Sequence, residues 1–121
     1  MGVTKKILSP GNGTDKPKAG DQISMLYTGC LYDQNAGEAN HFMGKQFDST
    51  TGRGPFSTAI GVGRLIRGWD EAVVDMTLGE KAILTITGDY AYGARGFPGL
   101  IPPNATLVFE VQLIGINGKQ A

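Results

Sequence analysis

Two of the side chains that enzymes use most are almost absent from this chain. It has one cysteine, Cys30, and one histidine, His41, in 121 residues. A lone thiol forms no internal disulfide, which points to a reducing compartment. One Cys and one His cannot supply the ligands of a usual zinc site, so no metal is expected. Ser-His-Asp and Cys-His chemistry is excluded as well, unless a base other than histidine serves, because His41 stands in a polar insertion. Cys30 lies mid-strand with no base or basic neighbour to activate it and reads as a structural thiol.

Net charge is missing too: eleven Lys and Arg balance eleven Asp and Glu. Only Lys5-Lys6 and Lys16 to Lys18 cluster, as a solvated face would, so nucleic acid is not an expected partner. No apolar run is long enough for a bilayer. The start, MGVTKKILSPG, has no apolar h-region, and Lys6 stands where N-myristoylation needs Ser or Thr. Asn-x-Thr sequons at Asn12 and Asn104 matter only in a secreted protein. The expectation is a soluble cytoplasmic protein with no membrane contact. Nucleotide motifs fail: GxxxxGK[ST] does not occur, and Gly61-Val-Gly63 is followed by Ile66 where the dinucleotide fingerprint needs glycine. No cofactor is expected.

The length suits one domain, residues 1–121, able to bury a core without disulfide or metal staples. Val3 to Leu8 reads as a short edge strand and Ile23 to Tyr32 as a longer one. Residues 33–46 are polar and glycine-bearing, the profile of a long hairpin loop. Gln46 to Ser49 and Phe56 to Ile60 are short strand pieces around a TTGRG turn. From Ile66 to Met76 the apolar residues Ile66, Trp69, Val73 and Met76 recur at steps of three or four, which predicts one helix with Trp69 as its anchor. TLGE is a turn, and Lys81 to Thr87 and Thr106 to Ile116 alternate as strands. The fold class is α+β: an antiparallel sheet covering one short helix.

The stretch DYAYGARGFPGLIPPNATLVF, Asp89 to Phe109, is the most informative. It pairs two tyrosines with a Gly/Pro-rich loop that carries Phe97, Leu100 and Ile101. Turn residues fix a loop's backbone, whereas large apolar side chains on it cost exposure. Such a loop is either packed over the core or forms the wall of an apolar pocket. Tyr27, Phe47, Phe56, Trp69, Tyr92, Phe97 and Phe109 would likewise be an aromatic core or an aromatic site.

Their neighbours favour the second reading. YTG at Tyr27 to Gly29, FDS at Phe47 to Ser49, GVGRLIRGWDEAV from Gly61 and AYGARGFPGLIPPNATLVFEVQLIGI resemble the FKBP-type peptidyl-prolyl isomerases over nearly the whole chain, the nearest type being the small single-domain members that bind tacrolimus and rapamycin. The resemblance implies a twisted antiparallel sheet of five to six strands wrapped around the Trp69 helix, with the active site between them. Carried over residue by residue, Trp69 is the pocket floor and Tyr27, Phe47 and Phe109 its aromatic walls. Leu65 and Ile66 are the apolar rim, with the Ile66 N–H as a carbonyl donor. Tyr92 is a hydroxyl donor and Asp48 the acidic group; Phe56, Phe97, Leu100 and Ile101 are outer contacts. Tyr27, Phe47, Asp48, Trp69, Tyr92 and Phe109 are thereby the residues implied for catalysis.

The implied partners are X–Pro peptides or proteins, tacrolimus and rapamycin. The drug-loaded form would meet calcineurin or TOR kinase through Arg53, Arg95, Phe97, Leu100 and Ile101. A monomer is expected. Three departures stand out: the hairpin between Leu31 and Phe47 is longer than in the small members, Leu26 precedes YTG where the family often has histidine, and the Asp48 to Phe56 segment is slightly shorter, which leaves the pairing of Arg53 with Asp48 open. A module that captures proline-like segments without physiological turnover is the competing function.

Overall fold

The computed structural model describes residues 2–121. Seven strands form one antiparallel sheet: β1 (Val3–Ser9), β2 (Gln22–Tyr32), β3 (Met43–Ser49), β4 (Phe56–Ala59), β5 (Lys81–Ile86), β6 (Leu107–Ile116) and β7 (Lys119–Gln120). The one α-helix among the described residues, α1, spans Arg67–Val73. The strand path is β1-β5-β6-β2-β3, with β4 also on β2 and β7 on β6.

The expected α+β class is the observed one; all six strand segments read from the sequence form, β4 among them, and only β7 goes beyond the expected five to six. β4 pairs with Gln22 to Met25 of β2 while β3 pairs with Thr28 to Tyr32, so one edge is a single line of pairing broken by the turn at 50–55. β7 folds back on β6 through Asn117 and Gly118, at φ 49° and 86°. Asn-Gly is the usual sequence for a two-residue hairpin turn with both central φ positive, a signal that the strand reading passed over.

Alternation in β5 and β6 puts Ala82, Leu84 and Ile86, with Leu107, Phe109, Val111 and Leu113, on the face that meets the helix, all buried. From α1, Trp69, Ala72 and Val73 enter the same core, joined by Met76 beyond its end. The helix is shorter than the expected Ile66 to Met76 because its last turn tightens: the N–H groups of Asp75 and Met76 donate to Ala72 and Val73, three residues back. The apolar face therefore continues through Met76 without the α-helix doing so. Gly68 explains how closely α1 sits on the sheet, since a Cβ there would meet Ile86 Cγ2 at 2.6 Å. At the other edge, Lys5 of β1 reaches the buried Glu80 carboxylate at 2.8 Å, tying the first strand to the turn before β5.

Residues 33–46 are more ordered than a plain hairpin loop. Short 3-10 turns occupy Gln34–Ala36 and Glu38–Asn40, and β3 begins at Met43. Asp33 caps the first turn by accepting from Asn35 N. Phe42 stacks on Tyr32 with ring centroids 5.3 Å apart.

Candidate active site

Between α1 and the sheet face that carries Tyr27 and Phe109 lies a cavity of about 540 Å³. β2 supplies Tyr27, β3 Phe47 and Asp48, β4 Phe56, and β6 Phe109; the segment entering α1 supplies Leu65 and Ile66, α1 itself Trp69, and the loop after β5 Tyr92. Tyr27 and Phe109 project from neighbouring strands, Gly29 standing opposite Phe109 in the register. Gly29 is a requirement of that wall: a Cβ there would lie 2.7 Å from Phe109 Cε1 and 2.9 Å from Phe47 Cζ.

The aromatic rings meet edge to face, the arrangement their quadrupoles favour. Trp69 has Tyr27 at 5.1 Å, Phe109 at 5.3 Å and Phe56 at 6.4 Å, with interplanar angles of 88°, 84° and 78°. Phe47 and Phe109 add a pair at 5.6 Å and 89°. Trp69 is buried, and its Nε1–H has no acceptor among the described residues.

One side of this apolar box is polar. Tyr27 donates from its hydroxyl to Asp48 Oδ2 at 2.6 Å, and Arg53 pairs with Asp48 Oδ1 at 2.6 Å. The turn at 50–55 makes that pair possible by doubling back on β3, so the shorter segment does not separate them. Burial pushes the Tyr27 phenol up to about 12, aided by the hydrogen bond to Asp48 and its charge. Burial also works to raise the Asp48 carboxyl, but the Tyr27 hydroxyl, the Ser49 N–H and the Arg53 guanidinium outweigh it and hold it below its ordinary value. The Tyr92 hydroxyl, half-exposed at the mouth, and the Ile66 backbone N–H, on an extended residue just before α1, are likewise without a partner among the described residues. Burial, then the Asp48 charge, raises the Tyr92 phenol and keeps it a protonated donor.

The remaining expected residues lie outside the cavity. Phe97 and Ile101 form an isolated backbone bridge, each N–H donating to the other's carbonyl at 2.8 Å, which closes a small loop. Phe97 and Leu100 are 49% and 46% exposed, whereas Ile101 is 5% exposed and packs into the core. Phe97 is outside the cavity lining and packs edge-on against Tyr92, which is part of it, with ring centroids 6.1 Å apart. Arg95, Leu100 and Ile101 line a separate shallow depression with Pro98, Pro102 and Pro103. Arg64, Arg67 and Ala91 line the cavity without having been singled out. Both arginines belong to the quoted GVGRLIRGWDEAV run, but only the path of the chain into α1 turns them toward the mouth. Neither Cys30 nor His41 is in the lining. Cys30 is buried, and that burial raises its thiol pKa, as suits a packed rather than a reactive cysteine.

A box of edge-on aromatics with unpaired donors at its edge suits a flexible, weakly polar ligand held by shape. The profile of FKBP-type peptidyl-prolyl cis-trans isomerases matches residues 13–114. The chain belongs to that family. It is 60% identical to a peptidyl-prolyl cis-trans isomerase of Schizosaccharomyces pombe, over the full length of both chains. It is 62% identical to FK506-binding protein 1B of Emericella nidulans over 92% of each chain, and 57% identical to FK506-binding protein 1 of Yarrowia lipolytica over 97% of this chain and all of the relative. As an FKBP-type isomerase, the protein catalyses rotation about X–Pro peptide bonds. No helix among the described residues is long and apolar enough to cross a membrane.

Proposed function

We propose that the Trp69 cavity is the isomerase site and that it acts by preferential binding of the twisted amide. The observation carrying this reading is the aromatic box itself, with Trp69 as floor and Tyr27 and Phe109 edge-on against it. Resonance gives the peptide C–N bond a rotational barrier of about 18–20 kcal/mol. At the twisted transition state conjugation is broken and the amide is less polar. An apolar cavity therefore disfavours the planar ground state relative to it, and every ~1.36 kcal/mol of difference is tenfold in rate. The Ile66 N–H and the Tyr92 hydroxyl orient the substrate by donating to its carbonyls. Asp48, held ionised by Tyr27 and Arg53, stiffens the polar wall.

The same cavity would hold tacrolimus, which is FK506, and rapamycin; the names of the fungal relatives support the first. Drug-loaded, the protein would meet calcineurin or TOR kinase. Exposed Phe97 and Leu100, with Arg53 and Arg95, are placed to take part, while Ile101 acts by bracing the loop from the core. We further propose that the protein is a cytoplasmic monomer of one domain. A coupled isomerase assay on short X–Pro peptides tests the site: turnover competitively inhibited by tacrolimus is expected. A folded sample without turnover, or turnover indifferent to the drug, would overturn the assignment.

A further inference from the structure

One cation at the cavity mouth has no ion-pair partner among the described residues. Three charged side chains line the cavity: Asp48, Arg64 and Arg67. Asp48 is paired with Arg53. Arg67 is paired with Glu71 at 2.7 Å, and its guanidinium lies 4.0 Å over the Tyr90 ring. Arg64 is exposed and has no ion pair or side-chain hydrogen bond among the described residues. The acid nearest to it along the chain, Asp70, is already committed: its carboxylate accepts from Gly61 N at 2.8 Å and Gly63 N at 3.0 Å. Those two bonds hold the turn that leads into Arg64, and that turn packs tightly, since a Cβ on Gly61 would meet Ala19 Cα at 3.1 Å. The result is a cation without a direct ion-pair partner on a braced lip of a largely aromatic site.

We propose that Arg64 is a specificity-determining residue of this isomerase, favouring X–Pro segments that carry an Asp or Glu within two positions of the proline over neutral ones. The inference rests on the cavity being the isomerase site. With the proline ring in the aromatic box, neighbouring residues must leave through the mouth, and two extended residues span about 7 Å, enough to bring a carboxylate to the lip. A rim charge of this kind selects among ligands and steers their approach more than it adds affinity. Arg64 makes no contact with the reacting bond in this scheme, so it acts on which segments enter.

Three matched peptides test it: one neutral, one with Glu ahead of the X–Pro pair and one with Glu after it. kcat/KM is measured for each with the wild type, Arg64→Lys and Arg64→Glu. An exposed pair is worth little, so at about 10 mM salt the expected wild-type preference for one of the Glu peptides over the neutral one is about two- to fivefold. It should fade toward unity near 1 M salt, where the Debye length contracts from about 30 Å to about 3 Å. Arg64→Lys should keep the preference and Arg64→Glu should reverse it. Taking the ratio within each variant divides out any loss common to all peptides. Wild-type ratios of one or below for both Glu peptides, or a preference of the same size in Arg64→Glu, would overturn the role of Arg64. If wild-type turnover of the neutral peptide is normal, the isomerase reading survives that result; if it is absent, that reading fails first.

Discussion

At the scale of single residues, the site depends as much on what is omitted as on the aromatic rings. Gly29 belongs to the YTG run, and its missing side chain is what lets Phe47 and Phe109 close on one another at 5.6 Å. Gly29→Ala should therefore do two things. Overpacking of this kind typically costs about 1–3 kcal/mol of stability. The displaced walls should also lower kcat/KM more than tenfold, because a cavity that recognises a twisted amide depends on placement. Denaturant unfolding and peptide turnover on the same sample check both. A variant that unfolds earlier but turns over normally would move the reactive amide away from this wall. The motif around Gly29 is legible in the sequence, but the clash that explains it is not, since it involves rings 18 and 80 positions further on.

At the scale of elements, two glycine-bearing loops have different surroundings. Residues 34–44 carry their own 3-10 turns and pack Phe42 on Tyr32, and none of them lines the cavity. Replacing them with a short Asp-Gly turn is expected to leave peptide turnover within about twofold, because closure entropy changes slowly with loop length. A large fall in turnover with folding intact would mean that the insertion shapes the pocket. The loop from Gly93 to Pro103 is held by the Phe97–Ile101 bridge and presents Phe97 outward. An exposed aromatic on such a rim is a candidate hot spot for a partner. Phe97→His should accordingly alter calcineurin inhibition by the tacrolimus-loaded protein much more than it alters turnover; equal losses in both assays would put Phe97 inside the catalytic pocket. The helix shows where periodicity misleads. Ile66, Trp69, Val73 and Met76 do share a face, yet a tightened turn preserves that face while ending the α-helix at Val73.

At the scale of the whole molecule, several ionisable groups are tuned in directions that predict a pH profile. Asp48, as above, and Asp75, beside the Lys5 charge and accepting a hydrogen bond from Lys16, are held below the usual 3.8. A depressed carboxyl contributes stability that is present above its unfolded pKa and is lost as pH falls through the folded one. The opposite limb comes from groups raised in the fold: the Cys30 thiol, raised by burial from 9.0, and Tyr27, raised by burial and Asp48 from 10.0 to about 12. Their contribution is intact below those unfolded values and declines as pH climbs toward the folded ones. Denaturant melts across pH should thus show a plateau between about pH 4 and 9, a fall below it, and a second fall between about pH 10 and 12. Tyr27→Phe should shrink the decline above pH 10, leaving the part that the raised Tyr92 phenol contributes. A decline of the same size in that variant would assign it to other groups.

Much of this protein could be read along the chain, because the information is local. Alternation at period two marks β5 and β6, the three-to-four step marks the buried face through Trp69, and ordered runs such as IRGWDE and AYGARGFPGLIPPNATLVF point to the family. What required the tertiary structure is everything that depends on distance between remote segments. The split of one edge into β3 and β4, and with it the approach of Arg53 to Asp48, follows from how the turn at 50–55 leaves the sheet. The burial of Ile101 beside exposed Phe97 and Leu100 follows from a two-residue bridge that composition does not distinguish. The unpaired charge of Arg64 follows from which acids its neighbours have already taken. Periodicity records which side of an element is apolar; only packing decides which other element that side meets and which polar groups are left over.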